Sequence, residues 1–333
     1  MNSGTKRQAV LTVLLAGSIA GIFLFSHRHE PRYEGKTWRQ WITQLRHGHE
    51  NEDSRTQRAI VALQQMAPQW VPILIRELTH QEPVLVRLSA RYGSHLPPFW
   101  RRWLPQAGEA PVIRAAAADA LATIGPPAKL AIPSLRTALL DEAELVRANA
   151  AVALGRMGPL ARDAVPSLAS LLGDSESQVR ISAANALGKI GPAGRRAVAS
   201  LVESLNDPVP LVRASAASAL GKINSVSWLV IPALIGVLKD SDEFVRSSAA
   251  RSIGRFGAQA AQATPALASA LTDPSYPVRI CAAEALGEIG PLAKPVLPAL
   301  IKAQRNDHAG LGRFIAAALR KIEGPLEIVV VDE

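Results

Sequence analysis

Cysteine is almost missing from this chain: Cys281 is the only one in 333 residues. A lone thiol closes no internal disulfide and builds no Cys-x-x-Cys redox or zinc motif, so neither chemistry is available. Its equivalents in other parts of the chain, Asn149, Ser182 and Ser215, mark it as a small filler side chain. Familiar enzyme motifs are missing too. There is no nucleophile elbow and no phosphate loop, and neither His27-x-His29 nor His47-x-His49-Glu50 has further ligands nearby to complete a metal site. The chain is expected to hold no metal and no cofactor, and not to be an enzyme.

Charge of one sign is also scarcer than the net value of +9 suggests. Residues 1–111 hold 14 Lys/Arg against 8 Asp/Glu, whereas residues 112–333 hold 23 against 20. The larger part is close to neutral. A basic groove of the kind that tracks nucleic acid is therefore not expected.

What the sequence has in abundance is repetition. Val146–Asp174 (VRANAAVALGRMGPLARDAVPSLASLLGD) recurs on both sides of itself. Arg114, Arg147, Arg180, Arg213, Arg246 and Arg279 stand 33 residues apart, as do Asp141, Asp174, Asp207, Asp240 and Asp273. Gly155, Gly188, Gly221, Gly254 and Gly287 keep the same step. A period of this length signals a solenoid. Within one copy, Val146, Ala150, Leu154 and Met157 share one face of a first helix, which Gly158-Pro159 ends. Val165, Leu168 and Leu172 form the apolar stripe of a second helix, with Pro166 in its first turn. Neither stripe can be buried alone, so stability must come from stacking.

The pattern V-R-x-x-A-A-x-A-L-G-x-I-G-P, followed by A-V/I-P-x-L and L-x-D, resembles the HEAT repeat in its bacterial, phycobilisome-lyase-like form. Six copies carry it, opening at Val112, Val146, Val179, Val212, Val245 and Val278. The resemblance implies an all-α solenoid of helix pairs. It leaves function open, because the motif residues are packing residues. A bilin-lyase-like role is implied by that resemblance alone. The iron hydroxylases among HEAT-like proteins place His-Glu pairs early in the first helices, where this chain has Ala148-Asn149, Ile181-Ser182 and Ala214-Ser215.

The first third is organised differently. Ala9–Phe25 is apolar and uncharged, preceded by Lys6 and Arg7. Its length is at the short limit for a membrane span. Residues 1–26 are expected to be an uncleaved membrane anchor; the rival is a signal peptide cut after Ser18-Ile19-Ala20. The basic start favours an extracytoplasmic array, while Arg28, Arg32, Lys36 and Arg39 after the segment favour the opposite orientation. Residues 27–36 read as a polar linker. Residues 37–111 read as a capping helix behind Thr37, then degenerate repeats from Ser54, with Pro72–Leu78 as a partner helix. Regular repeats fill 112–325. The tail 326–333 has β-branched character and is expected to cover the last repeat.

Aligned arginines invite comparison with a phosphate site. All but Arg114 follow an aspartate by a few residues, however, and such pairs tie neighbouring repeats in HEAT arrays, so the ladder is read as structural. A second basic row, Arg156, Lys189, Lys222 and Arg255, lies in the last turns of the first helices and reads as a solvated face favoured by the helix dipole. A partner protein is expected on the second helices, at Ser134, Thr137, Ser167, Ser170, Ser200 and Glu203, or at the pattern-breaking segment Phe99, Trp100, Arg101, Arg102 and Trp103. Tryptophan and arginine suit an interface hot spot, but the same segment would also serve as a bulky plug for a shortened helix. Replacing Trp100 and Trp103 by alanine separates the two. Binding lost at an unchanged melting temperature identifies an interface; a melting temperature that falls by several degrees identifies a plug.

Overall fold

The computed structural model describes residues 31–47, 53–81, 109–305 and 310–323. The segment Ala9–Phe25, expected from the sequence to be a membrane anchor, the Trp100–Trp103 segment and the tail 326–333 all lie outside the described residues. No helix among the described residues is long and apolar enough to cross a membrane. The chain divides into two compact units, Met1–Ile73 and Leu74–Glu333.

In the first unit, α1 (Trp38–His47) begins with a reciprocal cap. The Thr37 amide donates to Gln40 Oε1 at 2.9 Å, and the Gln40 amide donates to Thr37 Oγ1 at 3.4 Å. α2 (Asp53–Gln65) follows, then α3 (Ala67–Leu78), whose last five residues belong to the second unit and which starts five residues before the Pro72 expected to open it. Proline needs only to lie where its missing N–H is tolerated, so it does not fix the helix start here. Residues 31–36, read as linker, instead form a tight turn bridging Tyr33 and Lys36, with Glu34 and Gly35 at positive φ. Buried tryptophans hold that turn in place. Trp41 Nε1 donates to the Tyr33 carbonyl at 3.3 Å and Trp70 Nε1 to the Pro31 carbonyl at 3.0 Å, while Lys36 Nζ sits 4.3 Å over the Trp41 ring.

The second unit contains the repeats. Its first helices are α4 (Glu109–Ile124), α6 (Glu144–Arg156), α8 (Ser177–Ile190), α10 (Pro210–Ile223), α12 (Glu243–Gly254), α14 (Tyr276–Ile289) and α16 (Gly312–Glu323). The second helices are α5 (Ile132–Ala138), α7 (Val165–Ser170), α9 (Val198–Glu203), α11 (Ser227–Val237), α13 (Thr264–Ala270) and α15 (Leu297–Arg305). Most second helices are entered through a 3₁₀ turn that starts at the Gly-Pro stop, where Gly125, Gly158, Gly191 and Gly290 take positive φ. In the copy that lacks the stop glycine, Asn224 supplies the left-handed residue and its side-chain amide donates to the Arg255 carbonyl at 3.2 Å. Val226 is left-handed as well, a costly conformation for a β-branched residue, and α11 then runs unbroken through Pro232.

Val146, Val179, Val212, Val245 and Val278 are fully buried, as the period requires. Val112 is not: it is 60% exposed, because the 33-residue step lands on its neighbour Ile113. Consecutive first helices pack directly on one another, and each second helix packs on the first helix that follows it.

From α6 to α14 the first helices approach the next one closely because one glycine in each, Gly155, Gly188, Gly221, Gly254 or Gly287, faces it. A Cβ on Gly155 would stand 2.7 Å from Ala186 Cα, and one on Gly221 would stand 2.6 Å from Ser252 Cβ and 2.8 Å from its Cα. Gly236, exposed on α11, has open space at the same point. Helix propensity alone makes Gly→Ala stabilising by about 1 kcal/mol. Gly236→Ala is expected to gain about that much. Gly221→Ala is expected to lose about 1–3 kcal/mol, because the clash is with backbone and cannot be relieved by a rotamer. Urea unfolding of both variants checks the opposite signs.

The arginine ladder supplies a second tie. Arg147 donates through Nε to Asp174 Oδ2 at 2.8 Å and through Nη2 to Oδ1 at 2.9 Å. Its remaining nitrogen, Nη1, donates to the Asp141 carbonyl at 2.9 Å. Arg180 with Asp207, Arg213 with Asp240 and Arg246 with Asp273 repeat this geometry, and Arg114 pairs with Asp141 at 2.6 Å. The carboxylate partner is thus the aspartate 27 residues ahead, while the aspartate six residues behind gives only its backbone oxygen. Each carboxylate also accepts an N–H two residues on, as Asp207 does from Val209 at 2.8 Å.

Burial alone would raise the carboxyls of Asp174, Asp207 and Asp273. The arginine hydrogen bonds and the backbone N–H bonds outweigh it and hold all three below the usual carboxylate range. At Asp240 the Arg213 hydrogen bond is the largest influence and acts in the same direction. A depressed folded pKa contributes stability that is complete above the unfolded value, about 3.9, and is lost as pH falls through the folded one. Asp207→Asn is therefore expected to cost roughly 1.5–3 kcal/mol at pH 7. The gap from the parent should close as pH drops below about 4, which denaturation at several pH values measures.

Candidate interaction surfaces

The second-helix positions are half-buried or exposed, and the hydroxyls of Thr137 and Ser170 bond their own backbone. Ser134, Ser167 and Ser200 are half-buried; Thr137, Ser170 and Glu203 are exposed. Thr137 Oγ1 donates to the Pro133 carbonyl at 3.3 Å, and Ser170 Oγ to the Pro166 carbonyl at 3.2 Å. Hydroxyls bonded to their own helix offer a weak handle to a ligand. The six residues lie on the second helices α5, α7 and α9, and apart from the exposed Glu203 their side chains are small.

The ladder residues lie in the joints between repeats, Arg114 buried and the others half-buried. Arg114, Arg147, Arg180, Arg213 and Arg246 spend their guanidinium groups on carboxylates and carbonyls within the array. Arg279 donates to the Asp273 and Pro274 carbonyls at 2.6 and 3.0 Å and lies beside the Tyr276 ring.

The outward face of the first helices has a more differentiated chemistry. Each presents positions i, i+4, i+7 and i+11 along one stripe. The first position holds Val112, Leu145, Gln178, Leu211, Phe244 and Pro277. Four of these are large and exposed: Val112, Leu145, Leu211 at 57% and Phe244 at 66%. The next positions are small or half-buried, as with Asn149, Ser182 and Ser215, then Val152, Asn185 and Ser218. The last holds Arg156, Lys189, Lys222 and Arg255. Sequence reasoning missed the apolar row, although its signal was present: an apolar residue stands directly before several repeat-opening positions, where the opposite face of an amphipathic helix should be polar.

The basic row is mostly the solvated face that the sequence suggests, with one exception. Arg156, Lys189 and Arg255 are exposed, but Lys222 is half-buried. Burial first, then the positive charges of Arg255 and Lys189, push its ammonium below the usual lysine range. Toward the C-terminal end the sign alternates instead. Glu288 pairs with Lys321 at 2.7 Å, and both border a cavity of about 560 Å³ with Arg251, Glu284 and Phe314 at its sides and buried Cys281 in its lining.

Comparison with known proteins follows from this geometry. The HEAT-repeat family matches residues 146–221, 200–262 and 231–320, together more than half of the chain. No curated protein sequence matches it. Among solved structures, YibA of E. coli aligns at TM-score 0.55 and 19% identity over 85% of this chain and 91% of its own. Kap121p bound to Pho4p aligns at 0.56 and 15% over 86% of this chain, which spans 33% of Kap121p. The CpcE–CpcF complex of phycocyanin lyase from Nostoc gives 0.41 and 21%, over 83% and 98%. The YibA and Kap121p likenesses establish a shared architecture, and the stacked helix pairs, the glycine contacts and the family match agree: this chain belongs to the HEAT-repeat proteins.

Proposed function

We propose that this protein is a non-catalytic scaffold whose repeat array holds another protein, and that Ala9–Phe25 anchors it in a membrane with the array on the extracytoplasmic side. The observation that carries the scaffold reading is how the repeats allocate their polar groups. The ladder arginines and aspartates are consumed in joints between repeats, and the hydroxyls of Thr137, Ser170 and Ser269 bond their own helix backbone. What is left outward is an extended face whose side chains change from repeat to repeat, and a surface of that kind recognises a macromolecule. Kap121p, of the same architecture, is seen bound to Pho4p. The anchor reading is supported by the uncharged apolar run and the Lys6-Arg7 start.

Crosslinking in intact cells, detergent extraction of the tagged full chain and mass spectrometry test this directly. One or two proteins recovered in near-stoichiometric amounts, with the chain resisting a carbonate wash of the membranes, is the expected result. Background alone over repeated trials overturns the scaffold reading. Release by carbonate overturns the anchor reading independently.

A further inference from the structure

We propose that the outward face of α6, α8, α10 and α12 is the docking site for a protein helix that is acidic along one edge and apolar along the other. The inference rests on the scaffold reading and narrows it to a face and a chemistry.

Charge is the first argument. Arg156, Lys189, Lys222 and Arg255 stand at one equivalent position on four consecutive first helices, and none has a side-chain hydrogen bond or ion pair among the described residues. Lys321, at the same position further on, has Glu288 as a partner. The lysines are held close to the surface, not waving freely. A Cβ on Gly188 would lie 3.3 Å from Lys222 Cδ, and one on Gly155 would lie 3.6 Å from Lys189 Cδ, so each stem runs over the preceding repeat's glycine. Like charges fixed side by side, one half-buried, leave a local demand for carboxylates that nothing on this face meets.

The second argument is the opposite edge. Leu145, Leu211 and Phe244 are exposed eleven positions before Arg156, Lys222 and Arg255 in the same helices. At 1.5 Å per residue the rows are about 16 Å apart. Between them lie Asn149, Ser182, Ser215 and Ser248, then Val152, Asn185 and Ser218, whose small or half-buried side chains make a low floor over α6, α8 and α10. On α12 the exposed Arg251 adds a further cation beside the basic row. A helix roughly 10–12 Å across fits such a trough lying crosswise to the first helices. Four repeats at about 8–10 Å each give it some 30 Å, or about 20 residues, of contact. Nucleic acid fits poorly, since a duplex would set phosphates against the apolar row as readily as the basic one. A flat lipid surface would touch both rows and leave the floor empty.

The test uses the full chain in detergent and a labelled synthetic helix of about 20 residues with Glu along one edge and Leu along the other. Binding that weakens with salt is expected. The variants K189E/K222E/R255E and L145S/L211S/F244S should each weaken it roughly tenfold or more at unchanged melting temperature. The second-helix variant T137E/S170E should bind as the parent does. Peptide binding indifferent to both first-helix variants overturns the proposal, and so does tighter retention of duplex DNA or of anionic vesicles by the same residues. The cellular partner separates this inference from the one it rests on. A partner still recovered with K189E/K222E/R255E leaves a scaffold that binds elsewhere, whereas no partner for the parent chain removes the scaffold itself.

Discussion

The geometry of the array depends on a guanidinium doing two jobs at once. Arg180 grips both oxygens of Asp207 with Nε and Nη2 and still has Nη1 for the Asp174 carbonyl. Lysine has no planar fork and could not bridge three points in fixed directions. Because each aspartate accepts an arginine on its side chain and another on its carbonyl, the ladder runs without a break from Arg114 to Arg279. A partly buried ion pair recovers its desolvation cost only when geometry is good and every other lone pair is used. The extra N–H bond from the second residue after each aspartate meets that condition.

With the ladder fixing the joints at one end of each first helix, the glycine contacts set the spacing along the rest. A larger residue at Gly155, Gly188 or Gly254 would push successive first helices apart, and the bidentate pairs would lose their alignment. The two devices are therefore coupled, and together they free the outward stripe from any packing duty. Rows of quite different chemistry can then occupy equivalent positions without disturbing the stack. Leu145 and Gln178, or Arg255 and Glu288, are interchangeable to the core and distinct to a ligand.

Much of this was legible in the sequence, and what was not has identifiable reasons. The helix pairs, their glycine stops and the Asn224 substitute follow from local stereochemistry. The ladder's pairing does not. An aspartate six residues behind and one 27 residues ahead belong to the same 33-residue class, so the period cannot say which gives its carboxylate and which its carbonyl. Val112 was misassigned because two apolar residues adjoin and only Ile113 keeps register. Residues 31–36 looked like linker because the bonds that hold them go to Trp41 and Trp70, and the second of these is 39 residues away. The half-burial of Lys222 in an otherwise exposed row was not legible, because a sequence lists charges without showing that one lies between two others.

That row also bears on how an anion would be used here. The array as a whole is nearly neutral, and at physiological salt the field of an exposed charge decays over about 8 Å. Cations spaced by one helix each therefore act at contact range and add little long-range steering. Burying Leu145, Leu211 and Phe244 would supply most of the affinity, at roughly 25 cal/mol per Å² removed from water. The charges would instead set orientation, because reversing the partner edge for edge places carboxylates on leucines and leaves Lys222 covered and unpaired. The mixed signs that begin at Glu284 and Glu288 then mark where the unpaired stretch ends, and with it the length of partner this face can align.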